Sequence, residues 1–415
     1  MRFAYILLSY LLSPIVVGFL LWRGLNNRAY LARFFERFGF CGEAMPTQCI
    51  WVHAVSVGEV QAAVPLVKAL LARYPAVPVV VTTVTPTGAD RVKQLFGDRV
   101  CHCFAPYDLL GSVKRFFNTV QPRLAIIMET ELWPNLYHEC GRRNVPLVLA
   151  SARISPRSLS KYRRFVALFR EALSHGIVIA AQSESDAERF RALGANPTRT
   201  HVTGNIKFDF ELPASIVEDG NALRERYAQR RAVWIAGSTH ENEEQQVLLA
   251  HRRVCEAIPD CVLLLVPRHP ERFDGVERLI EEHGFSLVRR TQARHADSDV
   301  NVVLVDTLGE LPMFYAASDV AFVGGSLVRI GGHNLLEPAA LGKPTVTGPH
   351  TFNAQDIAVM LLASGATRLV HSPEELADEL LRFFERPELR LEAGEKALRT
   401  VEENRGALAR LLELL

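Results

Sequence analysis

The chain has 415 residues, of which 48% are hydrophobic and 22% charged, a composition typical of a globular protein too long for one ordinary domain. Its formal net charge of +1 argues against a strongly basic nucleic-acid-binding protein. The charge is unevenly divided: residues 1–211 carry 25 Lys and Arg against 15 Asp and Glu, and the remainder carries 22 against 31. A basic first half indicates an anionic partner or a membrane surface, with chance segregation of solvated charge as the alternative.

The N-terminal segment predicts a membrane anchor at residues 1–22. Residues 3–22 are an uncharged run, which is long enough for a helix to cross a bilayer. Four arginines follow between residues 23 and 37, so the positive-inside rule places the rest of the chain in the cytoplasm. The seven cysteines follow no pairing or zinc-binding spacing, as expected for free thiols in a reducing compartment. Because Pro14 and two tyrosines interrupt the run, the segment could span the bilayer as a signal anchor or lie in its interface.

Short apolar runs alternate with helical stretches from residue 49 onward. Runs without polar alternation are typical of strands buried on both faces of a parallel sheet. Predicted strands in the first series are 49–54, 77–83, 99–103, 124–128, 145–150 and 176–181. Predicted strands in the second series are 233–237, 262–266, 302–305, 320–323 and 345–347. Two β/α series predict two Rossmann-like domains.

The domain boundaries follow from these two series. We predict a first domain at residues 35–211, an interdomain linker at 212–231 and a second domain at 232–415. The C-terminal segment 387–415 has the pattern of a helix within the second domain.

Ligands in folds of this kind bind at the carboxyl ends of the strands, so the loops there supply the candidate residues. Glu59 follows the first predicted strand near the start of a helix, where a carboxylate could take a proton from an incoming hydroxyl. The structural alternative is a first-turn glutamate that interacts with the helix dipole.

Two further loops of the first half carry charge. Glu129 and Glu131 come directly after the strand 124–128, where carboxylates are costly unless solvated or paired; capping of the next helix is the alternative. Lys207 closes the first series and could offset charge on a departing phosphate. A basic stretch, either a solvated face or a contact with lipid phosphates, comprises Arg157, Lys161, Arg163, Arg164 and Arg170.

In the second half, strand ends carry small, basic and glycine-rich segments. The segments 324–326 and 331–334 would let a ligand approach the backbone closely. The histidines of these loops are scattered, which is more typical of satisfied cleft or core residues than of metal ligands; they are His53, His240, His269 and His333.

Six segments together resemble one family. In chain order they are WVHAVSVGE, METELWPNL, GNIKFD, AGSTHENEE, VPRHPERF and GGSLVRIGGHNLLEPAALGKPTVTGPH, and they resemble the 3-deoxy-D-manno-octulosonic acid (Kdo) transferases. The resemblance covers nearly the whole chain. Two positions depart from the family pattern: Leu335 stands where proline is frequent, and Ala354 where an aromatic residue is usual. Neither departure removes a catalytic group.

The resemblance implies an α/β fold of the GT-B glycosyltransferase architecture, with two Rossmann-like domains facing a cleft and an N-terminal membrane-anchoring helix. It implies transfer of Kdo from CMP-Kdo to the tetraacylated lipid A precursor (lipid IVA) in lipopolysaccharide synthesis, on the cytoplasmic side of the inner membrane. The expected partners are therefore CMP-Kdo, the lipid A precursor and the bilayer, without nucleic acid.

The resemblance also implies residue roles. Glu59 matches the general base of an inverting single displacement, and Glu129 and Lys207 match residues that stabilise the transition state. The stretches matching the CMP donor site comprise Pro267, Arg268, Leu308, Gly309, Glu310, Asn334, Leu335, Leu336 and Glu337. Because CMP departs as a phosphate monoester that protein donors can stabilise, we expect no metal or other cofactor.

Two other function classes remain open on the sequence. The first is a different GT-B enzyme, such as a nucleotide-sugar epimerase, which would not need an anchor or a basic half. The second is a non-catalytic, membrane-tethered sugar-binding protein, which would not need Glu59, Glu129 and Lys207 together.

Overall fold

The computed structural model describes residues 1–42, 45–163, 165–173, 176–292 and 300–415. The chain divides into two compact units, Met1–Phe210 with Asn404–Leu415, and Glu211–Glu403. Each unit contains one seven-stranded sheet whose strand pairs are parallel. The predicted α/β class with two parallel-sheet domains is thereby confirmed.

The first sheet has the strand order β3-β2-β1-β4-β5-β6-β7. Its strands are β1 Ile50–His53, β2 Val79–Thr83, β3 Cys101–Phe104, β4 Leu124–Met128, β5 Leu147–Ala152, β6 Val178–Ala181 and β7 Thr200–Val202. Every residue of β1, β2 and β5 is buried, because helices cover both faces of the sheet. This is why the strands appear in the sequence as continuous apolar runs.

In the described residues of the first unit, eight α-helices precede β7. They are α1 Arg2–Asn26, α2 Val57–Arg73, α3 Pro86–Phe96, α4 Leu110–Val120, α5 Pro134–Arg142, α6 Pro156–Arg163, α7 Val166–Leu173 and α8 Glu184–Ala192. Helix α1 contains the predicted anchor and is long and apolar enough to cross a membrane. Ser56, Thr85 and Ser183 each cap the helix that follows a strand, by accepting a hydrogen bond from an amide of its first turn.

The second sheet has the order β10-β11-β9-β8-β12-β13-β14. Its strands are β8 Val233–Thr239, β9 Val262–Pro267, β10 Leu287–Arg289, β11 Val302–Leu304, β12 Val320–Val323, β13 Thr345–Thr347 and β14 Thr367–Leu369. Its helices are α9 Ile216–Tyr227, α10 Glu244–Ala257, α11 Phe273–Glu282, α12 Leu311–Ala317, α13 Leu336–Ala340, α14 Gln355–Ala363, α15 Pro373–Glu385 and α16 Pro387–Glu403.

The residues predicted as a linker differ from that expectation. Most of them form α9, which packs against α12 and belongs to the second unit. The Arg224 guanidinium fixes this helix, since it donates to the Ala317 carbonyl at 2.9 Å and to the Asp319 carboxylate at 3.0 Å. The segment has the charged composition of a linker because the helix buries only one face, so its other face carries charged residues.

The C-terminus also differs from the prediction. The predicted helix 387–415 ends at Glu403 with α16, and a short helix α17, Ala407–Leu412, joins the first unit instead. The Asp209 carboxylate accepts hydrogen bonds from the Gly406 amide at 2.6 Å and the Leu408 amide at 2.7 Å. The second domain therefore does not include the last twelve residues, Asn404–Leu415.

Leu411→Ala is expected to destabilise the first unit by about 2–5 kcal/mol, the usual cost of emptying a buried leucine site. The Leu411 side chain is fully buried in the core cluster that includes Ile50 and Val52. A urea titration measures the loss. Leu398→Ala on α16 is the matched control, because Leu398 is 37% exposed and should change stability by about 0.5 kcal/mol or less. Equal losses in both variants would contradict the placement of α17.

Candidate functional sites in the two units

The first turn of α2 is a capping box. The Ser56 hydroxyl accepts a hydrogen bond from the Glu59 amide at 3.4 Å, and Glu59 Oε2 accepts one from the Val55 amide at 2.8 Å. A Ser-x-x-Glu sequence produces a reciprocal pattern of this kind at helix starts; the glutamate usually bonds to the N-cap amide, and here it bonds to the amide one residue earlier. The alternative role considered for Glu59, a glutamate that stabilises the first turn of the helix, therefore accounts for part of what its carboxylate does.

The same carboxylate is also placed for acid–base chemistry. Burial raises the pKa of Glu59 to about 8, and the neighbouring Glu131 and Glu129 carboxylates act in the same direction, against the Val55 hydrogen bond. A group with its pKa near neutral pH is suited to proton transfer there. Within the described residues, Oε1 has only a 3.4 Å contact from the Ser56 hydroxyl, so this oxygen can accept a substrate proton.

Glu129 follows β4 in a constrained conformation. Its φ of +55° lies in the left-handed region, which costs a non-glycine residue about 1–3 kcal/mol. The residue is 7% exposed, and its carboxylate accepts hydrogen bonds from Lys207 Nζ at 2.7 Å and Arg153 Nε at 3.0 Å. Two cations thus compensate one buried carboxylate and fix its direction.

Lys207 and Arg153 come from different parts of the chain. Lys207 lies in the short 3₁₀ helix Ile206–Asp209 after β7, and its amide donates to Asn205 Oδ1 at 3.0 Å. Arg153 follows β5 directly and was not among the predicted site residues. Arg153, like Glu129, directly follows a buried strand, and this position could have marked it as a site residue. It was instead grouped with the basic residues that follow it in the sequence.

These side chains meet where the first sheet reverses its strand order. The reversal lies between β1 and β4, and open α/β sheets bind ligands in the crevice at such a point. Glu59 follows β1 and Glu129 follows β4, while Lys207 reaches Glu129 from the end of β7. The structure therefore brings the three predicted residues to one edge of the first sheet.

The second sheet reverses its order between β8 and β12, and two histidines meet there. His240 follows β8, His333 lies in the loop after β12, and their Nε2 atoms are 2.7 Å apart. Burial, with neighbouring positive groups acting in the same direction, lowers the pKa of each to about 4. Both rings are therefore neutral at pH 7, one donating and one accepting. This pairing agrees with their interpretation as satisfied residues.

Arg268 is the exposed cation of this edge. It follows Pro267, the buried last residue of β9, and its amide donates to the Thr239 carbonyl at 2.9 Å. Among the residues that the structure describes, its guanidinium has no hydrogen-bond or ion-pair partner. A guanidinium whose backbone is fixed, and whose N–H donors have no partner among the described residues, is suited to bind a phosphate oxygen.

The loop leading into α13 supplies a second polar pair. Asn334 Nδ2 donates to Glu337 Oε1 at 3.0 Å. Burial raises the pKa of Glu337, and the Asn334 hydrogen bond and Arg268 partly offset this effect. Leu335 and Leu336 are 2% and 1% exposed, so of these two residues only the backbone could reach a ligand.

The segment 308–310 lies beyond β11, next to β9 in the sheet. Leu308 is 66% exposed, and Gly309 has a φ of +88°, which favours glycine. The Glu310 carboxylate is engaged by Arg290, with Nε–Oε2 at 3.1 Å and Nη2–Oε1 at 2.9 Å, and by the Thr307 hydroxyl. The part of this segment open to a ligand is therefore its exposed turn.

The glycine-rich segment 324–326 does not have the role expected of it. The buried carboxylate of Glu243 accepts hydrogen bonds from the amides of Gly325 at 2.6 Å, Ser326 at 3.0 Å and Leu327 at 3.0 Å. A Cβ at Gly324 would lie 2.8 Å from a Glu243 oxygen. These amides therefore bind an internal anion, and glycine is needed for the approach of Glu243.

No three His, Cys, Asp or Glu side chains of the described residues come together in an arrangement that could hold a metal ion. The Glu131 and Glu129 carboxylates both raise the pKa of Glu59, but Glu129 is already paired with two cations.

Two Rossmann-like units of this kind have the architecture of the GT-B fold. A solved structure of UDP-GlcNAc 2-epimerase from Neisseria meningitidis agrees at the level of the fold. It is 15% identical, has a TM-score of 0.57, and the match covers 88% of this chain and 98% of that one.

Sequence comparison identifies the family. The family model of 3-deoxy-D-manno-octulosonic-acid transferase matches residues 32–210. The 3-deoxy-D-manno-octulosonic acid transferase of Haemophilus influenzae is 42% identical over 100% of this chain and 98% of its own length. The one from Bordetella pertussis is 38% identical over 91% of this chain and 90% of its own. The chain belongs to the Kdo transferase family of glycosyltransferases, which confirms the resemblance found in the sequence.

Proposed function

We propose that this protein transfers Kdo from CMP-Kdo to the tetraacylated lipid A precursor, lipid IVA, in lipopolysaccharide synthesis. Family membership supports the class of reaction. The observation that carries the mechanism is the Glu59 carboxylate at the reversal point of the first sheet, with a pKa of about 8 and an oxygen open to a substrate proton.

The proposed reaction is an inverting single displacement. Glu59 takes the proton of an acceptor hydroxyl as that oxygen forms a bond to the anomeric carbon of Kdo. The bond from that carbon to the CMP oxygen breaks, and CMP leaves with the electron pair as a phosphate monoester. General-base assistance of this kind contributes about 100- to 10,000-fold in rate.

Glu129 and Lys207 are proposed to stabilise the transition state as one unit. Their 2.7 Å ion pair and the second contact from Arg153 fix charged groups in a partly buried site before substrate arrives. Preorganised charge is effective in catalysis because it does not have to reorient during the reaction. The ammonium group has three N–H donors, so Lys207 can hold Glu129 and still donate to a substrate oxygen.

The second unit is proposed to bind the donor. The free Arg268 guanidinium fits the phosphate, and the Asn334–Glu337 pair offers polar atoms suited to ribose hydroxyls. The exposed turn 308–310 and the loop backbone at Leu335 and Leu336 complete the proposed surface. We place the enzyme at the cytoplasmic side of the inner membrane, attached through α1.

The direct test is incubation of the full-length protein with CMP-Kdo and lipid IVA, followed by mass spectrometry of the lipid. A mass increase of one or more Kdo units supports the proposal, and the spectrum also counts the units. A new sugar nucleotide without a lipid product would indicate an epimerase. Donor binding without turnover would indicate a sugar-binding protein, and either result would overturn the proposal.

Activity is expected to persist without divalent metal. CMP leaves as a phosphate monoester, and protein donors such as the Arg268 guanidinium can stabilise such charge. EDTA should therefore change the initial rate by less than about a factor of two. A large loss that magnesium restores would contradict this expectation; a known metal-dependent glycosyltransferase assayed in parallel shows that the chelation is effective.

A further inference from the structure

Helix α1 has one partly buried face, here called the sheltered face, and a broader exposed face, called the open face. The less exposed residues recur at helical spacing: Arg2, Tyr5, Ile6, Ser9, Ser13, Val17, Leu20 and Gly24. The opposite face consists of large apolar residues that are 58–82% exposed: Phe3, Leu7, Leu11, Ile15, Trp22 and Leu25. A helix surrounded by lipid has no reason to divide its faces in this way.

Two polar contacts join α1 to the rest of the first unit. The Tyr5 hydroxyl donates to the Asp108 carboxylate at 2.7 Å, and the Tyr10 hydroxyl accepts a hydrogen bond from the Gly111 amide at 2.9 Å. Asp108 also accepts hydrogen bonds from the amides of Asn135 at 3.0 Å and Leu136 at 2.9 Å. The carboxylate that receives Tyr5 is thus the same one that caps α5.

Both ends of α1 contact the same unit. Arg2 lies in a recess with Pro134 of α5 and Leu168 of α7. At the other end, Gly24 is buried and a Cβ there would lie 2.4 Å from Leu31, in the turn that follows the helix. The helix is therefore held at its start and at Tyr10, and its end packs on the turn that follows it.

These contacts cannot coexist with a membrane span. If α1 crossed the bilayer with its arginine-rich end in the cytoplasm, Tyr5 would lie about 27 Å further along the axis than Arg23. That distance is close to the thickness of the hydrocarbon core, about 30 Å. Tyr5 would then be on the far side of the membrane, where it could not reach Asp108.

We propose that α1 lies in the plane of the membrane, with its open face inserted into one leaflet and its sheltered face docked on the first unit. The partner is an anionic lipid surface. Phe35 and Phe40, which are 68% and 55% exposed in the segment after α1, extend the apolar surface. This inference rests on the membrane attachment that forms part of the proposed function.

Charge favours an anionic lipid surface over a second protein chain. Exposed cations lie in the last turn of α1, at Arg23, and just after the helix, at Arg28. The α7 helix against Arg2 is preceded by α6 and by the exposed Phe165, and the exposed cations of that stretch are Arg157, Lys161 and Arg163; Arg164 lies outside the described residues. Cations bordering an inserted apolar face bind anionic headgroups, each contributing about fivefold in affinity.

A protease-cleavable epitope placed before Met1 tests the orientation. The full-length protein is expressed in a Gram-negative host, and sealed inverted inner-membrane vesicles are treated with protease. The in-plane helix leaves the epitope on the outer, cytoplasmic face, so we expect complete cleavage without detergent. Protection until detergent is added would overturn the proposal. Recovery of the protein in the soluble fraction would instead overturn the membrane attachment itself.

Two variants test the faces separately, with purified protein and vesicles containing 30% phosphatidylglycerol in phosphatidylcholine. Leu7→Gln with Leu11→Gln is expected to weaken binding by about tenfold or more, because both side chains would be inserted. Leu391→Gln on α16 is the control, since Leu391 is 64% exposed in the second unit and should leave binding unchanged. The lipid assignment would be overturned if the double variant bound the vesicles as tightly as the wild-type protein. It would also be overturned if the wild-type protein were a dimer in solution and the double variant a monomer, because the open face would then bind a second protein chain.

Tyr5→Phe with Tyr10→Phe tests the docking contacts, because it removes two hydroxyls and keeps the helix apolar. We expect faster hydrogen exchange of the amides at the start of α4 and α5, with vesicle binding retained. Tyr74→Phe is the matched control, since no hydrogen bond of its hydroxyl is found in the described part of the chain. Unchanged exchange in the double variant would show that α1 is not held there and would overturn the docked arrangement.

Discussion

Glu59→Gln is expected to slow Kdo transfer by about 100- to 10,000-fold, the usual contribution of a general base. Glutamine keeps the size of the side chain and can still accept the hydrogen bond that Val55 donates, so the capping box at the start of α2 survives. Only the ability to take a proton is lost. Donor affinity should barely change, because the proposed donor residues belong to the other unit.

Stability provides the control for this variant. Burial raises the Glu59 pKa from an ordinary 4.5 to about 8, so the folded state binds its proton more tightly than the unfolded state. The wild-type protein should therefore lose stability as pH rises from about 4.5 to about 8, a loss that glutamine cannot show. A thermal scan at pH 8 should find Glu59→Gln at least as stable as the wild type. Near-normal turnover in a folded variant would rule out the base assignment.

The same pKa predicts the pH dependence of the wild-type rate. Only the deprotonated carboxylate can act as a base, and with a pKa of about 8 it makes up about a tenth of the protein at pH 7. The rate constant for transfer should rise about tenfold per pH unit below pH 7 and level off above about pH 8. Initial rates at saturating substrate measure this profile. A flat profile between pH 6 and pH 9 would contradict the assignment.

The sequence predicted the central strands well and the edge strands poorly. The bounds of β4, β12 and β13 agree with the prediction, because these strands are buried and appear as uninterrupted apolar runs. The strands β7, β10 and β14 were missed. Each has only three residues, lies at a sheet edge and includes partly exposed positions, so no apolar run marks it.

The candidate sites show a similar limit. Glu59 and Glu129 could be predicted because each follows a strand directly in the sequence. The contribution of Arg153 could not, because it depends on which side chain reaches the Glu129 carboxylate from another strand. The role of Glu243 was hidden for the same reason: its partners are backbone amides more than 80 residues further along the chain. Helix bounds carry no information about such long-range pairs.

The ion pair between Glu129 and Lys207 is expected to act as one unit, so its variants should not be additive. Glu129→Gln leaves Lys207 and Arg153 facing each other without the carboxylate that both contact. We expect a loss in rate of about 100- to 1,000-fold, as for other preorganised electrostatic groups. A loss of about 3–5 kcal/mol in stability should accompany it, because two partly buried cations lose their counter-ion.

Lys207→Met is the second arm of this double-mutant cycle. Glu129 then keeps Arg153, so stability should fall less, by about 1–3 kcal/mol, while the rate should fall by a similar 100- to 1,000-fold. If the two residues stabilise the transition state together, the double variant should be no slower than the slower single variant within about threefold. Losses that multiply would show independent roles. Arg153→Met completes the test: it should lower the rate less than Lys207→Met if Arg153 acts only by positioning Glu129, and the remaining rate should still rise with pH through the Glu59 pKa.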